Sequence, residues 1–522
     1  MRKFILMGMT TIMFMPNLIA QNAVKLVVDY SDTKQTIHSF GASDCWRTQY
    51  IGNWDLDKRE EIADLLFSSE TDKNGNPKGI ALSIWRFNIG SGSHEAEDGA
   101  GIGSSWRKTD CFLNSDGSWN WDRQAGQRWF LEAARERGVR YSLAFSISAP
   151  YFYSKNGMTR ASEKGPHANL KSDCYDDYAA FMAEVSTKLN FDYLSPINEP
   201  QWEWITSRQE GMQATNEECS RLIHEIDKEL KKRSSKTKIV YGEAGDIRYL
   251  YNKNTDKPKT DNQIKDIFTN TGENSIVGLE SVANIISGHS YWSTWPIDTL
   301  ISTRQQLDIN MPDGFDYWQT EYCPMEKNED NPNGGGGRDT TINTALYIAR
   351  VIHHDLVVAN ATSWQSWTAF SEWNYKDGLI FIDDGVQKNG ANEWSDPLIE
   401  KCKSNGEFRV AKTLWGLGNY SRFVRPEMVR VESYIEGKSI EESAKSLMVS
   451  SFIEPKSEKC VIVLVNFSEK EHAVDVNVKS SAKKIQSFKM YETSEHHNLE
   501  YMGKVKKSIC IPSRSIITLE SL

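Results

Sequence analysis

No two of the eight cysteines form a CxxC pair, and no cysteine–histidine cluster has the spacing of a zinc site. A dithiol redox motif and a structural zinc finger are therefore excluded, and no particular disulfide is expected. The adjacent His353 and His354 would point apart on a helix, so no metal is expected there either. Positive charge is also short: 61 Lys and Arg stand against 71 Asp and Glu, a net charge of -10. Such a balance argues against nucleic acid as the main partner. Beyond the N-terminus no apolar run is long enough to cross a bilayer. No glycine-rich phosphate turn follows the first candidate strand, "SFGASDCW", which disfavours a doubly wound nucleotide-binding sheet. Repeats are absent, and the single low-complexity patch, "NPNGGGGRDT", reads as a flexible loop.

What remains is a chain of 522 residues with 39% hydrophobic content, enough for one large domain and a smaller one. Arg2 and Lys3 precede an apolar run from Phe4 to Phe14, with Ala20 as a small residue for cleavage. Residues 1–20 thus read as a secretory signal, and export to the periplasm or the extracellular space is expected. From 36 to 415 eight apolar runs alternate with amphipathic segments. They are "HSFGAS", "GIALSIWRFNIG", "RYSLAFSIS", "FDYLSPINEP", "TKIVYGEAG", "IISGHSYW", "FDYWQTEYCP" and "ATSWQSWTAF". Eightfold alternation predicts a parallel sheet closed into an α/β (β/α)8 TIM barrel. Residues 416–522 carry short β-rich runs without long helices, which predicts an appended antiparallel β-sandwich. An early strand within 21–35, "VKLVVDY", is expected to join it.

In such a barrel the chemistry sits where strands end. Glu199 closes the fourth run and Glu321 the seventh, so two carboxylates are expected to face each other across the mouth. Glycosidic cleavage needs that pair, one to donate a proton and one to meet the sugar carbon. Asn198 precedes Glu199 and can bond a sugar hydroxyl, while Trp202 and Trp204 follow it toward the rim.

"SPINEP" resembles the acid/base strand of clan A glycoside hydrolases, and "WQTEYC" the nucleophile strand of glycoside hydrolase family 30. "SFGASDCW", "LSIWRFNIGSGS", "GHSYW" and "LWGLGNYSRFVRP" resemble further segments of that family, in order from about residue 38 to about 426. The string "NEPQWEW…RQEG" is similar to the branch that holds endo-β-1,6-galactanases. The resemblance implies a retaining, cofactor-free and metal-free hydrolase of an oligo- or polysaccharide, expected as a monomer. It assigns Glu321 as nucleophile, held by Arg86 and Tyr291, and Glu199 as general acid with its pKa raised by Glu321. Asn198 would hold the 2-hydroxyl, and His289 would orient Tyr291 or the nucleophile. Asp44, and one of Trp364 and Trp367, would contact the sugar. Ser146 and Ile147 replace the tryptophan of a common family motif, which would make room for an axial hydroxyl, as in galactose. The alternatives are a β-1,6-glucanase, xylanase or β-fucosidase, or a non-hydrolysing carbohydrate-binding barrel.

Overall fold

The computed structural model describes residues 23–96, 101–161, 163–205, 208–383, 385, 400–482 and 484–522. The secretory signal expected at 1–20 lies outside them. The chain opens with β1 (Val24–Thr36) and then enters a closed barrel of eight strands. These are β2 (Ser39–Ser43), β3 (Ile84–Ile89), β4 (Tyr141–Ser146), β5 (Tyr193–Ser195), β6 (Lys238–Ala244), β7 (Val282–His289), β8 (Asp316–Glu321) and β9 (Ser363–Ser366). Every neighbouring pair is parallel, and β9 closes the ring by pairing Phe40 with Trp364. Seven of the eight runs read from the sequence contain one of these strands, and the sixth, "IISGHSYW", overlaps β7, which starts three residues earlier.

Side-chain alternation divides each strand between two interiors. Ile84, Leu143, Val240, Ile285 and Trp318 come from five different strands and form one cluster, which places them in the lumen. Trp85, Phe87 and Ile89 point the other way, into the layer between sheet and helices. Burial on both faces is why these strands read as continuous apolar runs. The helices that follow are amphipathic. In Asn216–Lys232, Cys219, Leu222, Ile223, Ile226 and Leu230 form the inward stripe. Thr215 starts this helix with a capping box, its side chain accepting from the Glu218 amide while Glu218 reaches back to the Thr215 amide.

A small three-stranded sheet, β10 (Phe370–Ser371), β11 (Ile380–Asp383) and β12 (Glu407–Val410), precedes the last barrel helix, Lys412–Ser421. The C-terminal sheet then builds from β13 (Val429–Ile435), β14 (Leu447–Ile453), β15 (Cys460–Asn466), β16 (His472–Lys479), β17 (Ser487–Thr493), β18 (Glu500–Lys506), β19 (Ser508–Ile511) and β20 (Ser515–Ser521). Its order is β18-β17-β20-β15-β14-β13-β1-β16-β19. All its pairs are antiparallel except β1 with β16. Phe488 and Ile511, near opposite ends of that order, share one apolar cluster, as a sheet folded over itself into a sandwich requires.

The sheet also packs on the barrel. Along β15, Cys460, Ile462 and Leu464 face the sandwich core, while Val461, Val463 and Val465 join the barrel core. Burying three valines contributes roughly 1.5–3 kcal/mol each, so this contact holds the two parts together. No described helix is long and apolar enough to cross a membrane.

Candidate active site

The mouth of the barrel, at the C-terminal ends of its strands, gathers residues from β3, β5, β6, β7 and β8. Arg86 on β3 is fully buried, its guanidinium lying 3.7 Å from the centroid of the Phe145 ring. Its Nη1 donates to Glu321 Oε2 at 2.6 Å. Its Nη2 donates to Asn198 Oδ1 at 2.8 Å and to Glu243 Oε2 at 2.9 Å. Tyr291 Oη donates to the other oxygen of Glu321 at 3.0 Å. Burial pushes the Tyr291 phenol well up, with Cys323 and Glu321 adding to it, so the tyrosine stays a neutral donor. Glu321 is thus gripped at both oxygens.

Glu199 lies four residues beyond the last ladder residue of β5, Ser195, rather than on the strand itself. Its backbone is left-handed, with φ 46°, and its amide donates to the Glu243 carbonyl at 3.0 Å. Glu243 shares the conformation, with φ 43°. A non-glycine residue in this region is strained, and packing must hold it there. Gly245 supplies part of that packing. A Cβ there would come within 3.1 Å of Glu199 Oε1 and 2.5 Å of Trp202 Nε1.

His289 ends β7 and joins the carboxylates. Its Nδ1 lies 2.8 Å from Glu199 Oε1 and its Nε2 lies 3.0 Å from Glu243 Oε2. The sequence reading aimed this ring at Tyr291 or the nucleophile. Tyr291 meets it only edge-on at 5.9 Å, and Glu321 Oε1 is 3.9 Å away. Burial alone would depress the imidazole, but Glu321, Glu199 and Glu243 outweigh it and push His289 up to about 10. Glu243 moves oppositely. Burial pushes its carboxyl up, yet Arg86 and His289 hold it down at about 2. Burial is also the largest influence raising Glu199, with Glu321 adding to it and His289 opposing. Glu321 is therefore a secondary cause of that rise, not the main one expected from the sequence. One ligand atom each of Glu199, His289 and Glu321 lie within 4.8 Å of one another. A cation there would have to displace the proton that already joins His289 to Glu199.

Glu243 went unread in the sequence. "VYGEAG" carries a single glutamate without a recognisable partner, and only folding brings Arg86 and His289 to it.

The remaining candidates separate into two groups. Trp202 and Trp204 are half-buried beside Glu199, and the Trp204 indole donates to the Glu199 carbonyl at 3.3 Å. Lys257 sits 5.1 Å over the Trp202 ring. Trp367 is half-buried and packs edge-on to Trp46 at 5.3 Å, in a cluster with Cys45, Phe145 and Ile147. Ile147 rather than Ser146 faces this wall; Ser146 bonds Tyr178 at 2.6 Å on the helix side.

Two residues turn away from the cleft. Trp364 is fully buried among the helices, and its indole donates to Asp355 Oδ2 at 2.9 Å. It cannot meet a sugar there, because β9 directs Ser363 and Gln365, not Trp364, toward the lumen. Trp364→Phe is expected to cost about 1–3 kcal/mol by removing a donor from buried Asp355, whose Oδ2 then keeps only Ser290, with KM unchanged. Urea midpoints and glycoside kinetics check this. Asp44 is also fully buried, with Oδ1 accepting from the Asn88 amide and Oδ2 from Gln127, both at 2.9 Å. Burial pushes its carboxyl up to about 7 despite those bonds. Asp44 braces β2 against β3, and with no exposed surface it does not reach the cleft. The Gly334–Gly337 loop is tied down as well, the Gly337 amide donating to the Asn374 carbonyl at 3.0 Å.

A parallel barrel with two opposed, buried carboxylates at its mouth defines the architecture of a glycoside hydrolase. The chain belongs to O-glycosyl hydrolase family 30, whose family model matches residues 23–381. It is similar to an endo-β-1,6-galactanase of Hypocrea rufa, 26% identical over 410 residues that cover 74% of each chain. Among solved structures it is similar to a conserved exported protein from Bacteroides fragilis, with a TM-score of 0.87 and 36% identity, covering 95% of this chain and 100% of that one. The catalytic domain of a xylanase C from Talaromyces cellulolyticus shares the fold, with a TM-score of 0.65 and 19% identity, covering 95% and 100%.

Proposed function

We propose that the protein is an exported, retaining β-glycosidase that cleaves β-1,6-linked galactan or a related plant polysaccharide. The observation that carries the mechanism is the separation of Glu199 and Glu321, with carboxylate oxygens within 4.8 Å of one another. Retaining enzymes hold their carboxyls about 5–5.5 Å apart, whereas inverting ones need about 6.5–9.5 Å to admit a water.

In the first step the Glu321 carboxylate attacks the anomeric carbon while Glu199 passes its proton to the departing oxygen. A glycosyl ester forms and the glycosidic bond breaks. Esterification removes the Glu321 charge, one of the influences that raise Glu199, so Glu199 stays ionised after giving up its proton and can take one from water. That water attacks the same carbon, freeing the sugar and Glu321. Arg86 and Tyr291 keep the Glu321 oxygens in place throughout.

The substrate rests on different support. The galactanase similarity favours β-1,6-galactan, and Ile147 beside Trp46 and Trp367 leaves the wall without the bulk of a tryptophan. Export is read from the N-terminal pattern, and the similar Bacteroides fragilis protein is described as exported. A non-hydrolysing barrel is disfavoured, since binding alone needs no strained, opposed carboxylates. The test is hydrolysis of aryl β-galactoside, β-glucoside and β-xyloside alongside β-1,6-galactan, with the first-formed anomer followed by proton NMR. Galactan cleavage with β-anomer released first is expected. Clear preference for glucosides would overturn the substrate, and an α-anomer would overturn the mechanism.

A further inference from the structure

Glu243 reaches no open part of the cleft, yet it touches the supports of both opposed carboxylates. Its side chain is fully buried and accepts three bonds: Arg86 Nη2 at 2.9 Å, His289 Nε2 at 3.0 Å and Thr320 Oγ1 at 3.1 Å. Arg86 in turn grips Glu321, and His289 grips Glu199. The Glu243 backbone carbonyl receives the Glu199 amide, so side chain and main chain both converge on the same residue. With Glu199 protonated, the cluster holds two cations, Arg86 and His289, and two anions, Glu243 and Glu321. It is balanced only while Glu243 is charged.

We propose that Glu243 is a positioning residue: by holding His289 as an imidazolium against Glu199, it sets the pH at which Glu199 gives up its proton. This rests on the reading of Glu199 as acid and base.

The groups facing His289 can be named from every side. Glu199 comes from the segment after β5, Glu243 from β6 and Glu321 Oε1, at 3.9 Å, from β8; the Tyr291 ring stands edge-on. Glu199 faces His289 at hydrogen-bond distance, with Glu321 and Arg86 acting on it through space. Of these, Glu243 is the anion that faces only the supports and not the reacting carbon. Evolution of charge during the reaction affects Glu321 and Glu199, whereas Glu243 keeps its charge through both steps. It therefore supplies a constant field under a site whose other two carboxyls change state.

The sign of the effect follows from which charge is lost. An adjacent cation stabilises the carboxylate form and lowers its pKa. Removing the Glu243 charge takes away the carboxylate bonded to His289 Nε2 and leaves Glu321 and Glu199 to hold the buried proton; as the ring loses it, a neutral imidazole no longer favours ionised Glu199. Glu199 then holds its proton to higher pH, and less of it is ionised and available to take a proton from water in the second step.

In Glu243→Gln the alkaline limb of kcat/KM is expected to move up by about one pH unit, with kcat reduced roughly 10-fold or more. His289→Gln should move the limb in the same direction, and the double variant should move it no further than His289→Gln alone, because the two act along one line. A residue that merely braced the fold would lower kcat without displacing the limb. The second readout needs no activity: ¹⁵N shifts of the His289 ring at pH 8 should show both nitrogens protonated in the wild type and a smaller protonated fraction in Glu243→Gln. A folded Glu243→Gln protein with an unmoved limb overturns the proposal, as does a neutral His289 ring in the wild type. If the wild type hydrolyses no glycoside, the functional reading of Glu199 fails, while the ring measurement in the wild type and Glu243→Gln still decides whether Glu243 keeps His289 charged.

Discussion

Glu321→Gln is expected to lower kcat/KM by roughly 10⁴–10⁶-fold on any glycoside the wild type cleaves, the range seen when a covalent nucleophile is removed. The amide is nearly isosteric with the carboxylate. Its oxygen can still accept from Arg86 or Tyr291, so the cleft should keep its shape. Arg86 also retains Glu243 as a charged partner at 2.9 Å and is not left buried and uncompensated. What the amide lacks is the electron pair that forms the glycosyl ester. Oligosaccharide affinity, read by calorimetry on the variant, should therefore stay within a few-fold of the wild-type KM. Retention of turnover within about 10-fold of wild type would show that Glu321 is not the nucleophile.

The second large effect belongs to Glu199, and it depends on the leaving group. Glu199→Gln removes the proton donor, which should slow cleavage of polysaccharide and simple alkyl glycosides by roughly 10²–10⁴-fold. A dinitrophenyl glycoside needs little protonation to depart, so its first step should persist. The second step still lacks a base, and the ester should accumulate, giving a burst followed by slow release. Azide, an anion that needs no deprotonation, should restore turnover of that substrate and yield a β-glycosyl azide. Equal losses on both substrate types, with no burst and no azide product, would remove Glu199 from the acid/base role. The contrast between the two variants is informative, because the Glu321 variant forms no ester and should show neither burst nor azide-linked β-product.

The two carboxylates were legible because each stands in a distinctive local string at the end of an apolar run. The barrel strands were legible for a related reason. A strand buried on both faces carries an unbroken apolar signal, as "YSLAFS" does on β4. Glu243 was not legible, because its meaning lies in partners 157 and 46 residues away. A glutamate in "YGEAG" resembles any other until β3, β6 and β7 are brought to one mouth. Which of Trp364 and Trp367 faces the cleft was left open by parity. Alternation allows only one of two nearby rings to face inward, but it does not say which until the strand's register with β2 is known. Asp44 was misread because its partners, the Asn88 amide and Gln127, leave no mark in its own neighbourhood.

The place of β1 has a consequence for how the molecule assembles. Its neighbours in the sheet are β13 and β16, and Tyr30 bonds the Glu458 carbonyl across 428 residues of sequence. During synthesis this strand therefore waits, unpaired and with Leu26, Val27, Val28 and Tyr30 uncovered, until the whole barrel has followed it. Contacts this remote slow folding, since the long loop must close before the strand gains anything from pairing. Once closed, the same connection makes the chain a clasp: β1 is stitched between two late strands and cannot leave without parting them.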